Sequence, residues 1–172
     1  NKNIAKSLNE LGFILPTPIQ SKTIPLLLDT KQDLIGAAQT GTGKTAAFGI
    51  PSIHLTDISD KSVQTLILCP TRELCIQITK DLKKYSKYVK GIQIVPVYGG
   101  ASMETQIRAL KKGSQIVVGT PGRTKDMIKR KKLSLVSIDR VVLDEADEML
   151  SMGFKEDLDF ILSKATAGVQ KL

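Results

Sequence analysis

The stretch 33–53, DLIGAAQTGTGKTAAFGIPSI, decides the fold class. Asp33–Ala37 is a short apolar run that reads as a strand, and Lys44–Ile53 reads as a helix. Between them lies Ala38-Gln39-Thr40-Gly41-Thr42-Gly43-Lys44-Thr45. Strand, glycine-rich turn and helix in succession are the layout of a phosphate-binding loop. The glycines let backbone N–H groups close around phosphate oxygens, and the helix N-terminus adds a partial positive charge. Lys44 can reach β- and γ-phosphates, and Thr45 can hold Mg²⁺. Thr40, Gly41, Thr42, Gly43, Lys44 and Thr45 are therefore the expected nucleotide-binding residues. The usual pattern has Gly at its first position, where this sequence has Ala38. A glycine-rich turn without a ligand is the plain alternative, and the flanking strand and helix argue against it.

The same alternation runs outward along the chain. Apolar runs at Gln64–Cys69, Ile92–Val97, Gln115–Gly119 and Arg140–Leu143 are separated by helical patterns at Arg72–Tyr88, Met103–Lys112, Pro121–Lys129 and Ala146–Lys164. Most of the runs are apolar on both faces, as strands in a covered parallel sheet must be. The expected fold is thus α/β, a mostly parallel sheet flanked by helices on both faces. Residues 1–172 read as one domain. In such sheets ligands bind beyond the carboxyl ends of the strands, and each motif below falls at a strand end or in the opening helices.

Val141-Val142-Leu143 runs into Asp144-Glu145-Ala146-Asp147. An acidic residue ending an apolar strand is where a phosphate-loop enzyme places its Mg²⁺-coordinating carboxylate, a role Asp144 fits. Glu145, next to it, could orient and deprotonate an attacking water. Lys44, Asp144 and Glu145 are the catalytic candidates, and Thr45 and Asp144 the metal candidates, partly through water. The alternative is an acidic cluster that only caps the next helix. Near the start, Gly12–Gln20 (GFILPTPIQ) precedes a further helix. The Gln20 amide could pair bidentately with adenine, donating and accepting at N6 and N7.

Charge supplies a separate clue. The chain carries +8, and between Lys80 and Lys132 there are 14 Lys/Arg against three acids. That segment holds +11, leaving −3 for the rest, a distribution suited to a polyanion partner. Three Tyr and four Phe are too few for an aromatic base-stacking platform. Cys69 and Cys75 are the only cysteines. They are too few for a disulfide framework, they lack the CxxC spacing of a zinc site and have only His54 for company, and they read as buried small hydrophobes of a cytoplasmic protein. No apolar run is long enough to span a membrane, and no basic-then-apolar leader opens the chain.

In order, these motifs resemble the DEAD-box helicase family. Gly12–Gln20 looks like its Q motif, and Ala38–Thr45 like its motif I, in which Ala at the first position is normal. Pro70-Thr71-Arg72-Glu73-Leu74 is similar to motif Ia, Gly99-Gly100 to the GG motif, Thr120-Pro121-Gly122-Arg123 to motif Ib, and Asp144–Asp147 to the name-giving motif II. Leu143–Asp157 resembles the bacterial cold-shock and ribosome-assembly branch. The resemblance implies the first RecA-like, ATP-binding domain of an ATP-dependent RNA helicase, a monomer using ATP and Mg²⁺. It also implies an RNA groove at Thr71, Arg72, Gly99, Gly100, Thr120, Gly122 and Arg123 that contacts phosphate and sugar rather than bases. Local chemistry agrees. Thr120 is placed to N-cap a helix with Pro121 at its first position, leaving free N–H groups and Arg123 for a phosphate. Thr71 and Arg72 repeat that arrangement, and Gly99-Gly100 permits close backbone approach. An ordinary strand-to-helix turn is the alternative at each.

Two family features have no match. The adenine-stacking aromatic upstream of the Q motif has no counterpart, and neither does the Ser-Ala-Thr of motif III, since Ser163-Lys164-Ala165-Thr166 follows a helix. The second RecA-like domain, with its arginine finger, is also expected to lie outside this sequence, which reads as a fragment. An ATP-gated RNA clamp and a phosphate-loop enzyme acting on a small molecule are the competing functions. The basic segment and Pro70–Leu74 argue against the small-molecule reading.

Overall fold

The computed structural model describes residues 1–39 and 41–172. Four strands of four residues form the centre: β1 (Thr65–Leu68), β2 (Ile94–Val97), β3 (Ile116–Gly119) and β4 (Arg140–Leu143), with β5 (Gln170–Lys171) beside them. Their order is β2-β3-β1-β4-β5, and every pairing is parallel. The parallel arrangement follows from the helices that intervene between successive strands, because a return in the same direction needs a crossover.

Alternation along the strands divides the core in two. Ile67 and Cys69 point to one face, where α1 (Lys2–Glu10), α3 (Lys44–Leu55) and α4 (Arg72–Tyr85) bring Ile4, Phe48, Ile78 and Leu82. Leu66 and Leu68 point to the other, against α5 (Met103–Lys111), α6 (Pro121–Lys129), α7 (Ala146–Ser151) and α8 (Lys155–Ser163), which supply Met127, Met149 and Ile161. β1 is covered on both faces and all four of its residues are buried, which is why it reads as a continuous apolar run. A further helix, α2 (Pro18–Asp29), packs on α3. No helix among the described residues is long and apolar enough to cross a membrane.

Three features differ from the sequence expectation. Asp33–Ala37 is not a strand. Leu34 N–H donates to Lys171 O at 2.9 Å, but β5 offers only two residues beside it, and Ile35 stands 97% exposed. A parallel strand needs a partner of its own length, and here one backbone bond replaces a ladder. The helix expected over Ala146–Lys164 is two, α7 and α8, broken at Gly153, which adopts φ 82°. Finally, α1 and β5 are elements that periodicity did not mark. Cys69 and Cys75 are fully buried, as expected of small hydrophobes. A hydrogen bond to Cys75, together with burial, pushes the Cys69 thiol up.

Candidate nucleotide and nucleic-acid site

The phosphate loop turns on two glycines in the left-handed region, Gly41 at φ 82° and Gly43 at φ 90°. Gly43 is doubly constrained, because a Cβ there would lie 2.4 Å from Gln20 Nε2. It is also the N-cap of α3 and makes no side-chain cap, so the first N–H groups of α3 have no capping side chain to accept them. Thr42 Oγ1 closes the turn by donating to Gln39 O at 2.6 Å. Thr40, one of the expected nucleotide contacts, lies outside the described residues.

Gln20 is built into this loop. Thr17 and Gln20 form a reciprocal capping box at the start of α2, with Thr17 N–H donating to Gln20 Oε1 at 3.0 Å. Gln20 Nε2 in turn donates to Gly43 O at 3.1 Å. The side chain is only 4% exposed yet lines the cavity. One amide hydrogen and one Oε1 lone pair remain uncommitted.

That cavity, of about 250 Å³, brings Gln20, Gly41, Gly43, Lys44 and Thr45 together with Asp144 and Glu145. Asp144 follows β4, and its N–H donates to Leu68 O at 2.9 Å, so the central strand fixes its position. Burial pushes its carboxyl above the usual range, Lys44 pulls it back and Glu145 adds to the rise. A buried carboxylate facing one ammonium and one neighbouring acid is suited to a cation. Magnesium takes oxygen ligands, often one or two carboxylates together with substrate phosphates. Asp144 and the Thr45 hydroxyl supply that donor type, and no group of three or more His, Cys, Asp or Glu among the described residues forms an all-protein cage. Glu145 sits at φ 57°, ψ 51°, a left-handed conformation rare for a side-chain-bearing residue.

The second group of residues collects at the ends of β1, β2 and β3. Thr71 caps α4 by accepting from Leu74 N–H at 3.2 Å. Arg72 Nη1 donates to Gly100 O at 3.2 Å while its guanidinium lies 5.1 Å from the Tyr98 ring centroid. Arg123 Nη1 donates to Ala101 O and to Gln106 Oε1, both at 3.2 Å, and Gln106 Nε2 donates to Tyr98 O at 2.9 Å. The loop 99–101 is thus clamped from both sides by arginines. Gly100 turns at φ 74°, and a Cβ on it would press within 3.2 Å of Arg72 Nη1. Gly122 is exposed at the start of α6.

One expectation fails locally. Thr120 occupies the N-cap of α6, but its hydroxyl makes no capping bond. Two positioning residues, Tyr98 and Gln106, were not legible in sequence. Tyr98 meets Arg72 from 26 positions away, and Gln106 meets Arg123 from 17, so no local spacing marks either contact.

A family model described as DEAD/DEAH box helicase matches residues 17–171. Over all 172 residues the chain is 55% identical to the ATP-dependent RNA helicase CshA of Listeria monocytogenes, covering 33% of that protein. It is 52% identical over 164 residues to the ATP-dependent RNA helicase DeaD of Buchnera aphidicola, covering 95% of this chain and 27% of that one. The chain therefore spans about a third of the length of the curated relatives it matches. Among solved structures, a DEAD box protein from the hyperthermophile Methanococcus jannaschii superposes with a TM-score of 0.95 at 42% identity. That match covers 100% of this chain and 47% of the other.

Proposed function

The chain belongs to the DEAD/DEAH box helicase family, and on that premise we propose that residues 1–172 are the ATP-binding, RecA-like domain of an ATP-dependent RNA helicase. In the complete two-domain protein it hydrolyses ATP and locally separates RNA strands. The observation that carries this reading is the meeting of Gly43, Lys44, Asp144 and Glu145 at one cavity. The clamped 99–101 loop sits at neighbouring ends of the same sheet.

Each residue has a role that its placement supports. The 41–44 turn and the N-terminus of α3 receive the phosphates through backbone N–H groups. Lys44 supplies a point charge to the β- and γ-phosphates. Asp144 and Thr45 would hold Mg²⁺, partly through water, and the ion would neutralise charge on the phosphates. Glu145 orients the attacking water and accepts its proton. Gln20 offers adenine its remaining amide hydrogen and lone pair. Thr71, Arg72, Gly99, Gly100, Thr120, Gly122 and Arg123 meet the RNA backbone, the arginines with the donors their loop contacts leave over. Those contacts address phosphate and sugar, so binding tolerates any sequence.

A cytoplasmic, monomeric protein fits this role. In the two-domain protein, Glu145→Gln should retain ATP and RNA binding while turnover falls by roughly 10²–10⁴-fold. Loss of nucleotide binding with the fold intact would overturn the assignment of Glu145.

A further inference from the structure

A large cavity lies away from the candidate nucleotide site. It is an open groove of about 880 Å³ between α1, α4 and β2, the edge strand of the sheet. Ile76 and Tyr98 give it an apolar floor, and four lysines line it: Lys80, Lys83, Lys84 and Lys87. Glu10 is the one carboxylate in its wall. Two of the lysines are neutralised, Lys87 by Glu10 at 2.7 Å and Lys84 by Asp81 at 3.1 Å. Lys80 and Lys83 have no carboxylate partner among the described residues, and both are exposed.

The groove is continuous with the proposed RNA surface. Tyr98 belongs to both, lining the groove while the Arg72 guanidinium lies over its ring. Arg72, Ile76, Lys80 and Lys83 then recur along one side of α4. At about 1.5 Å per residue, Lys83 lies roughly 16 Å along the axis from Arg72, a distance that a few nucleotides of a single strand cover.

We propose that single-stranded RNA leaving the Arg72–Gly100 surface continues into this groove, its phosphates against Lys80 and Lys83 and a base on the Tyr98–Ile76 floor. The proposal rests on the RNA-binding reading above and extends it. Lysine ammonium groups on a rim and an apolar floor are the combination that sequence-tolerant single-strand sites use. An acidic segment of another protein would match the lysines, but the continuity with Arg72 favours RNA.

The test compares wild type, Lys80→Gln/Lys83→Gln and Arg72→Ala in the two-domain protein. Fluorescence anisotropy would follow binding of a short labelled RNA of about three nucleotides, below the size of a single-strand site and too short to run from Arg72 to Lys83, and a long one of about twenty. Salt would be varied between about 50 and 200 mM. The double variant should flatten the salt slope for the long RNA by about 1.4, at about 0.7 per lost phosphate contact. It should leave the short RNA and the RNA-independent ATPase unchanged. Arg72→Ala should weaken both RNAs, and if it affects neither, the motif surface itself is wrong. A wild-type slope on the long RNA in the double variant overturns the groove proposal alone, as does equal loss on both RNAs. Poly-glutamate binding that the double variant loses, with RNA slopes intact, would reassign the groove to an acidic protein.

Discussion

Replacing Glu145 separates the conformational demand of its position from its chemistry. At φ 57° and ψ 51° its backbone is left-handed, which costs an L-residue roughly 1–2 kcal/mol. Glycine escapes that cost but loses about 0.5–1 kcal/mol through greater unfolded-state freedom. Glu145→Gly should therefore be about 0.5–1 kcal/mol more stable than Glu145→Ala, since alanine keeps the steric cost and loses the carboxylate equally. In a domain of this length, about 1 kcal/mol moves the melting temperature by roughly 2–4 °C. Calorimetry on the two variants measures the difference, and ATPase assays on the two-domain protein measure the chemistry. Both variants should lose turnover by roughly 10²–10⁴-fold. Lys131, at φ 55°, is the other described non-glycine residue in this region, and Lys131→Gly should stabilise without touching turnover. An alanine variant that melts at or above the glycine variant would refute the strain argument. Near-normal turnover in either would refute the role of the carboxylate.

Asp144 carries a pH signature. Burial raises its carboxyl, so the folded state binds the proton more readily than the unfolded state. Its contribution is most favourable below the unfolded carboxylate range and is lost as pH rises through the raised value. Without nucleotide or metal, Asp144→Asn should gain stability at neutral pH and lose that advantage in acid, measured by urea melts across pH; an advantage that grows in acid would reverse the assignment. Gln20→Ala should weaken ATP more than GTP by about 1–3 kcal/mol, measured by calorimetric titration, and equal weakening would confine Gln20 to supporting Gly43. Gly119→Ala would place a Cβ 2.2 Å from Thr124 Oγ1 and 3.3 Å from Val97 O. It should destabilise by roughly 1–3 kcal/mol, and an unchanged melt would show that Thr124 gives way freely.

The sequence made the central sheet legible because its inner strands are buried on both faces. Thr65–Leu68 and Ile116–Gly119 are buried throughout and Arg140–Leu143 at all but Leu143, so no exposed position interrupts the apolar run. It misread 33–37 for the complementary reason: apolar composition marks what wants burial, whereas a strand also needs a partner. With β5 two residues long, Leu34 makes one backbone bond and Ile35 none among the described residues. The helix break at Gly153 escaped because a 3.6-residue period survives a one-turn interruption. Lys155 then restarts the apolar stripe with Leu158 and Ile161 facing the same core as Met149.

The candidate site was legible as motifs but not as an assembly, and the assembly lies in backbone bonds at the strand ends. Asp144 N–H donates to Leu68 O, Cys69 N–H to Gly119 O and Thr120 N–H to Val97 O. These bonds tie the end of β4 to β1, β1 to β3 and β3 to β2. The acid cluster, the Thr71–Arg72 turn, the Thr120–Arg123 turn and the 99–101 loop are therefore held in register by amides, which no substitution other than proline removes. Side chains only complete the clamp, as Arg72 and Arg123 do on the 99–101 loop. Substituting either arginine should thus change how tightly RNA is held while leaving its site fixed relative to the phosphate loop. On the proposed reading, an edge held in this way would carry nucleotide and RNA on one body, and strand separation would then require a second body closing against it.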